Sequence, residues 1–234
     1  MEYKNYIQKT DFGKIKLYQA DCMEMLPQAP DKYYDLCICD PPYGIGENGG
    51  RNLADRPTVK WKNPSSQIYK TFDDSKPPEE KYFKELQRIS KNQIVWGANN
   101  FTKFLPFSTG WVVWDKIVDE KEHLSMCELA YTSFNIRCLK FTYLWAGFKK
   151  AEQIKRIHPT QKPVALYKWL LSRYANPGDK ILDTHGGSMS IAIACHDLGF
   201  DLDLYEIDKD YFEAGKQRLE RHQQQQMFEF NTSG

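Results

Sequence analysis

The sequence predicts an α/β protein with a mostly parallel central sheet and helices on both faces. Short apolar runs alternate with amphipathic helical stretches along the chain, the pattern of strands connected by covering helices. The last third reads as strand, glycine-containing loop, helix and a strand ending in an acid, which is half of a nucleotide-binding unit. Hydrophobic residues make up 41% and charged residues 27% of the 234, a globular balance for a single domain over 1–234.

The elements follow in order. Lys14 to Gln19 alternates and reads as a strand. Asp35 to Cys39 is a buried strand running into two prolines. Glu79 to Ser90 is a helix opened by Pro77-Pro78. Gln93 to Trp96, Trp111 to Trp114, Met126 to Thr132 and Lys140 to Trp145 are further strands. Pro163 to Tyr174 is a helix with proline in its first turn. Asn176-Pro177-Gly178-Asp179 is a turn, followed by a strand over Lys180 to Asp183. Ser188 to Leu198 is a helix closed by Gly199. Asp201 to Glu206 is a strand and Asp208 to Arg221 a helix, beyond which the polar tail around Gln223 to Gln226 is expected to fray.

Composition excludes several classes. Net charge is +1, so any nucleic-acid binding must come from a local patch. No apolar run approaches the roughly 20 residues of a membrane helix, and residues 1–11 lack a signal-peptide core, which makes the cytoplasm the expected location. The six cysteines fit neither a disulfide framework nor a zinc site, so no metal is expected. Cys37 and Cys39 share one strand face and read as buried reduced thiols.

Asp40-Pro41-Pro42-Tyr43 carries the most chemistry. It leaves the carboxyl end of a buried strand, the edge where open α/β sheets bind ligands. The prolines fix φ and remove two backbone donors, so the loop is stiff and offers acceptors. The Asp40 carboxylate and the Pro41 carbonyl can each take one N–H of an exocyclic amine. That holds its nitrogen tetrahedral, with a localised lone pair, and stabilises positive charge as a methyl group arrives. A base inside a duplex must first be flipped out and stacked, for which Tyr43 supplies the ring.

Together with Asp21-Cys22-Met23-Glu24-Met25-Leu26 at the matching spacing, this stretch resembles the amino-group DNA methyltransferases, in which Asp-Pro-Pro-Tyr is the catalytic motif. The resemblance implies a Rossmann-like fold, S-adenosyl-L-methionine as cofactor with S-adenosyl-L-homocysteine as product, and duplex DNA as partner, with a homodimer an open possibility. It implies that Asp21 contacts the cofactor's adenine, with Cys22 also in the cofactor site. His158-Pro159-Thr160-Gln161-Lys162-Pro163 resembles a second family motif just before a helix N-terminus. There free N–H groups and Lys162 would hold the methionine carboxylate. Ile181 to Ser190 occupies the place of the glycine-rich cofactor loop, usually Asp-Pro-Phe-x-Gly-Ser-Gly-Thr. Asp183, Gly187 and Ser188 match; Thr184, His185 and Met189 replace proline, phenylalanine and the second glycine. Met189 either narrows the pocket or points away into helix packing. Glu206 ends the next strand, where an acid binds ribose hydroxyls, while Asp208 caps the following helix.

The catalytic strand precedes the cofactor strand, as in a permuted group of the family, so Asp201 to Glu206 should lie beside Lys14 to Gln19. Asn92 to Asn99 and Gly110 to Lys116 resemble compact phage or prophage enzymes of this kind, often part of restriction-modification. Target recognition falls to residues 44–76 or 117–157. The latter carries Lys149, Lys150, Lys155 and Arg156, near Trp145 and Phe148, for phosphate contact and base stacking. By resemblance Asp40 goes with adenine N6 rather than cytosine N4. Two alternatives stay open: a methyltransferase acting on RNA or on a protein glutamine, and a binding subunit whose cofactor site has decayed.

Overall fold

The computed structural model describes residues 3–45, 74–118, 125–146, 149–150 and 156–232. In chain order the strands and helices are β1 (Gln8–Phe12), β2 (Ile15–Gln19), α1 (Cys22–Met25), β3 (Tyr34–Cys39), α2 (Glu80–Ile89), β4 (Ser90–Trp96), β5 (Trp111–Asp115), β6 (Cys127–Thr132), β7 (Leu139–Thr142), β8 (Trp145–Ala146), β9 (Lys149–Lys150), α3 (Val164–Tyr174), β10 (Lys180–Asp183), α4 (Ser190–Leu198), β11 (Asp201–Glu206) and α5 (Lys209–Thr232).

Nine strands form one sheet in the order β1-β2-β11-β10-β3-β4-β6-β5-β7. The five from β2 to β4 in this order are mutually parallel. Each carries apolar, buried residues near its centre, as burial on both faces requires. Leu17, Leu36, Ile38, Ile94, Ile181 and Leu204 are fully buried, each contributing about 1.5–3 kcal/mol by transfer from water. The pairing of β11 with β2, from Leu202↔Ile15 to Glu206↔Gln19, is the one expected from the catalytic-first order. One core layer packs α3, α4 and α5 against the sheet. The other packs α1 and α2, through Tyr82, Phe83, Leu86 and Ile89.

Several boundaries differ from the sequence reading. β1 escaped it because Lys9 and Asp11 point outward and no apolar run marks this edge strand. β4 begins at Ser90, directly where α2 ends. The stretch Lys140 to Trp145 is two strands, with β8 leaving the main sheet to pair with β9 as a separate ribbon. The helix expected from Ser188 starts at Ser190, because Met189 takes a left-handed backbone (φ +55, ψ +31). The polar tail does not fray after Arg221, since α5 runs to Thr232. Asp197 on α4 anchors that extension, accepting from Gln226 at 2.7 Å and pairing with His222 at 2.6 Å. Cys37 and Cys39 are buried as expected, whereas Cys127 and Cys138 are exposed; all are free. No helix among the described residues is long and apolar enough to cross a membrane, and none of their side chains cluster as a metal site.

Candidate active site at the carboxyl edge of the sheet

Five parallel strands deliver their carboxyl ends to one edge. This brings together Asp21 after β2, Asp40 after β3, Gly97 after β4, Thr184-His185 after β10 and Glu206 at the end of β11. The chain leaves β3 through α2 on one face and β10 through α4 on the other. The β3–β10 gap is therefore a topological switch point, where open α/β sheets form their ligand crevice. The Asp40 and Asp183 loops flank it.

Two groupings occupy this edge. The first is a cavity of about 290 Å³, lined by Asp21, Cys22, Pro42, Tyr82 and His185 together with Lys76, Pro77, Pro78, Glu79 and Lys81. Asp21 spends one carboxylate oxygen capping α1, accepting from Met23 N at 2.8 Å. Cys22 is buried beneath it, and burial pushes its thiol far above the usual range.

The second grouping is a ladder of alternating charge: Lys116, Glu128, Lys162, Asp40. Lys162 is buried and donates to Asp40 Oδ2; it pairs with Glu128 Oε2 at 3.1 Å and reaches Tyr43 Oη at 3.3 Å. Lys116 pairs with the other oxygen of Glu128. Tyr43 donates to Asp40 Oδ1 at 2.6 Å. The Lys162 ammonium lies 5.5 Å from the Trp96 ring centre and 5.8 Å from that of Tyr43, within cation–π range. Burial disfavours this ammonium, but the carboxylates of Asp40 and Glu128 outweigh it and raise Lys162. Burial likewise raises Asp40, against the pull of Lys162. For Glu128, the two lysines overcome burial and hold the carboxyl down to about 2.

Sequence reading placed Lys162 at a helix N-terminus and did not single out Glu128 or Lys116. Their signal lies in the register: Trp114 pairs with Glu128, so Lys116, just past β5, reaches the same edge.

Tyr43 is seated on Gly97. A Cβ at Gly97 would lie 2.1 Å from Tyr43 Cε1, and Gly97 has φ +66. Gly97→Ala is therefore expected to unseat the ring. It should cost about 1–3 kcal/mol from the left-handed backbone alone, measured by chemical denaturation. Unchanged stability would show that the loop yields without strain.

The remaining candidates form a clasp around the loop after β10. Asp183 is buried, accepts from His185 N at 3.0 Å, and is raised to about 8, chiefly by burial. Glu206 accepts from Gly187 N at 2.7 Å and from Asp208 N at 2.8 Å, so both of its oxygens already hold backbone donors. Gly186 packs so closely on β11 that a Cβ would lie 2.3 Å from Leu204 Cδ2. Ser188 Oγ lies 3.1 Å from Ser190 Oγ, which donates to Lys162 O at 2.7 Å and ties the two motifs together. His158 is buried and lowered to about 4 by that burial; its Nδ1 lies 3.0 Å from Thr160 Oγ1. Gln161 is buried, and its Nε2 has no hydrogen-bond partner among the described residues.

Met189 points away from the cavity. Its side chain is fully buried against Gly215 of α5, where a Cβ would lie 2.6 Å from Met189 Cγ. The backbone there is left-handed, which gives a physical reason for the glycine this motif usually carries.

The recognition candidates are less gathered. Residues 46–73, 119–124, 147–148 and 151–155 lie outside the described residues, and with them Phe148 and Lys155. Lys149 and Lys150 form β9. The Arg156 guanidinium sits 5.3 Å from the Trp145 ring centre. Trp145 is buried, with Nε1 donating to Gln161 O at 2.8 Å, so it is a core residue and not the exposed base-stacking ring expected from sequence.

A family model described as DNA methylase (N6/N4 methyltransferase) matches residues 114–217. YubD of Escherichia coli K12, named as a methylase, is 25% identical over 225 residues, covering 87% of this chain and 89% of its own. The type II methyltransferase M2.DpnII of Streptococcus pneumoniae is 23% identical, covering 89% and 90%. The crystal structure of an M1.HpyAVI–SAM complex shares the fold at a TM-score of 0.53 and 18% identity, covering 87% of this chain and 99% of that one. With an acid-proline-proline-tyrosine loop at the switch point of such a sheet, these likenesses support the N6/N4 amino-group DNA methyltransferase family for this chain, with S-adenosylmethionine as the family's cofactor.

Proposed function

We propose that the chain methylates the N6 amine of an adenine flipped out of duplex DNA, with Asp40-Pro41-Pro42-Tyr43 as the catalytic loop. The observation that carries this is the place of Asp40: an acceptor at the switch point, on a loop whose prolines offer no N–H, beside the cavity lined by Asp21 and His185.

The residues present fit the cofactor. Asp21 and Cys22 face the cavity as partners for an adenine. Glu206 retains lone pairs for ribose hydroxyls, since a carboxylate accepts at about four positions. The Gln161 Nε2 donor and Thr160 suit a methionine carboxylate, whereas the Lys162 ammonium expected there from sequence is spent on Asp40, Glu128 and Tyr43; His158, Asp183, Gly187 and Ser188 shape the loop that would hold the cofactor. When bound, S-adenosylmethionine supplies a methyl group on a positively charged sulfur.

The chain's own residues do the rest. Asp40 and the Pro41 carbonyl accept the two N–H bonds of the target amine. Held in this way, the amine's lone pair would point at the methyl group that the bound cofactor would supply, whose sulfur would leave as a neutral thioether. The methylated nitrogen is then left positive and sheds one proton, for which Asp40, raised by burial, is the adjacent acceptor. Tyr43 supplies the stacking face. Lys149, Lys150, Lys155 and Arg156 contribute phosphate contacts, with target reading assigned to segments within 44–76 and 117–157.

The test is transfer of a tritiated methyl group from the cofactor to unmethylated duplex DNA, followed by nucleoside analysis. N6-methyladenine is the expected product. N4-methylcytosine would overturn the base assignment, and transfer to RNA or protein alone would overturn the DNA reading.

A further inference from the structure

The two side chains that replace the family's proline and phenylalanine, Thr184 and His185, are bonded to each other. Thr184 Oγ1 lies 2.9 Å from His185 Nδ1 and 2.7 Å from Tyr82 Oη. Tyr82 and Thr184 are buried, and the His185 ring lines the cavity beside Asp21, Pro42 and Tyr82. Neither contact to position 184 or 185 exists for a proline–phenylalanine pair, which has no hydroxyl and no ring nitrogen.

Tyr82 sets the direction of the relay. Its phenol is fully buried and burial holds it protonated, so it must place one proton. The Thr184 oxygen accepts that proton better than the thiol of Cys39, the other group beside the phenol. With Tyr82 donating to Thr184, the threonine's own O–H has Nδ1 as its acceptor within reach and would otherwise have no partner among the described residues. Burial lowers His185 to about 4, so the ring is neutral with a single proton, which then sits on Nε2. Nε2 has no hydrogen-bond partner among the described residues. The cavity thus holds an acceptor, the Asp21 oxygen left over from the α1 cap, and a fixed donor. A purine offers the complement, an exocyclic amine that donates and ring nitrogens that accept.

Resting on the cofactor reading above, we propose that His185 Nε2–H donates a hydrogen bond to a ring nitrogen of the cofactor's purine, with Tyr82 and Thr184 as positioning residues that fix its tautomer. With the proton on Nε2 and Thr184 on Nδ1, the proposal leaves the ring no free lone pair to act as a general base.

The experiment is calorimetric titration of the whole chain with S-adenosylhomocysteine and its 1-deaza, 3-deaza and 7-deaza analogues, with ¹⁵N-histidine spectra alongside. His185→Phe should bind the parent ligand about 3–10-fold more weakly, the range of one neutral hydrogen bond. One deaza analogue should lose the same factor on the natural chain and nothing on His185→Phe. The spectra should show His185 protonated on Nε2, and Thr184→Val should mix the tautomers. Equal affinity of His185→Phe, indifference to all three analogues, or a proton on Nδ1 would each overturn the proposal. No binding by the natural chain would instead overturn the cofactor reading.

Discussion

Asp40→Asn should reduce methyl transfer by about 10³-fold or more, the scale seen when one preorganised polar group facing developing charge is removed. The substitution keeps the size of the side chain and removes its charge. The amide can still accept from Tyr43 through its carbonyl, but its NH₂ now faces Lys162 and the incoming amine, both of which donate. The loss should fall on kcat, with cofactor affinity by calorimetry changed little, because Asp40 is not among the residues lining the cavity. A variant that turns over near the natural rate would remove Asp40 from the mechanism. A variant that loses cofactor binding to the same degree would make Asp40 a structural strut.

Lys162→Met should be the most destabilising change at this edge, by about 3–5 kcal/mol at neutral pH, because it strips the shared cation from two buried carboxylates. Asp40 and Glu128 would then face each other, with Lys116 paired to Glu128 as the remaining cation among the described residues. The pH dependence has a definite sign. Glu128 is lowered in the folded protein, from 4.5 to about 2, so its contribution is present above about 4.5 and is lost as pH falls through about 2. Lys162 is raised, so its contribution is full below its ordinary value of 10.5 and is lost only as pH rises beyond that. The gap between the natural chain and Lys162→Met should therefore be widest between about pH 5 and 10 and narrow toward pH 2. Urea unfolding across that range measures it, and a gap independent of pH would show that packing of the lysine stem, not its charge, is what is lost. Asp40→Asn added to Lys162→Met should recover part of the stability, since Asp40 is the carboxylate left without a cation among the described residues, whereas Glu128 keeps Lys116.

The sequence carried the fold far because the central strands and helices are amphipathic with the right periods. The apolar runs that end at Cys39, Trp96, Asp183 and Glu206 are the strands themselves, to within a few residues. It failed where a single local signal was missing. β1 is polar on one side and has no apolar run, and β8 shares its run with β7 but belongs to a different sheet. The length of α5 depends on Asp197, a partner about 30 residues earlier in the chain.

The Asp40-Pro41-Pro42-Tyr43 loop, the glycine loop after β10 and the strand-end acids were legible in the chain itself, because stiff prolines, a glycine turn and terminal carboxylates are each specified by contiguous residues. Tertiary structure alone decided who touches the Asp40-Pro41-Pro42-Tyr43 loop. Lys162 stands 122 residues from Asp40 and pairs with it, Gly97 makes the seat for Tyr43, and Glu128 closes the charge ladder from an antiparallel strand. The same holds for Met189, whose direction depends on the room left by Gly215, and for the Tyr82–Thr184–His185 relay, which joins a helix to a loop across the switch point. Periodicity and turn chemistry act between neighbours in sequence, so they set elements and motifs. Ion pairs, close approaches and tautomers are set by distance in space, which only strand order and register determine.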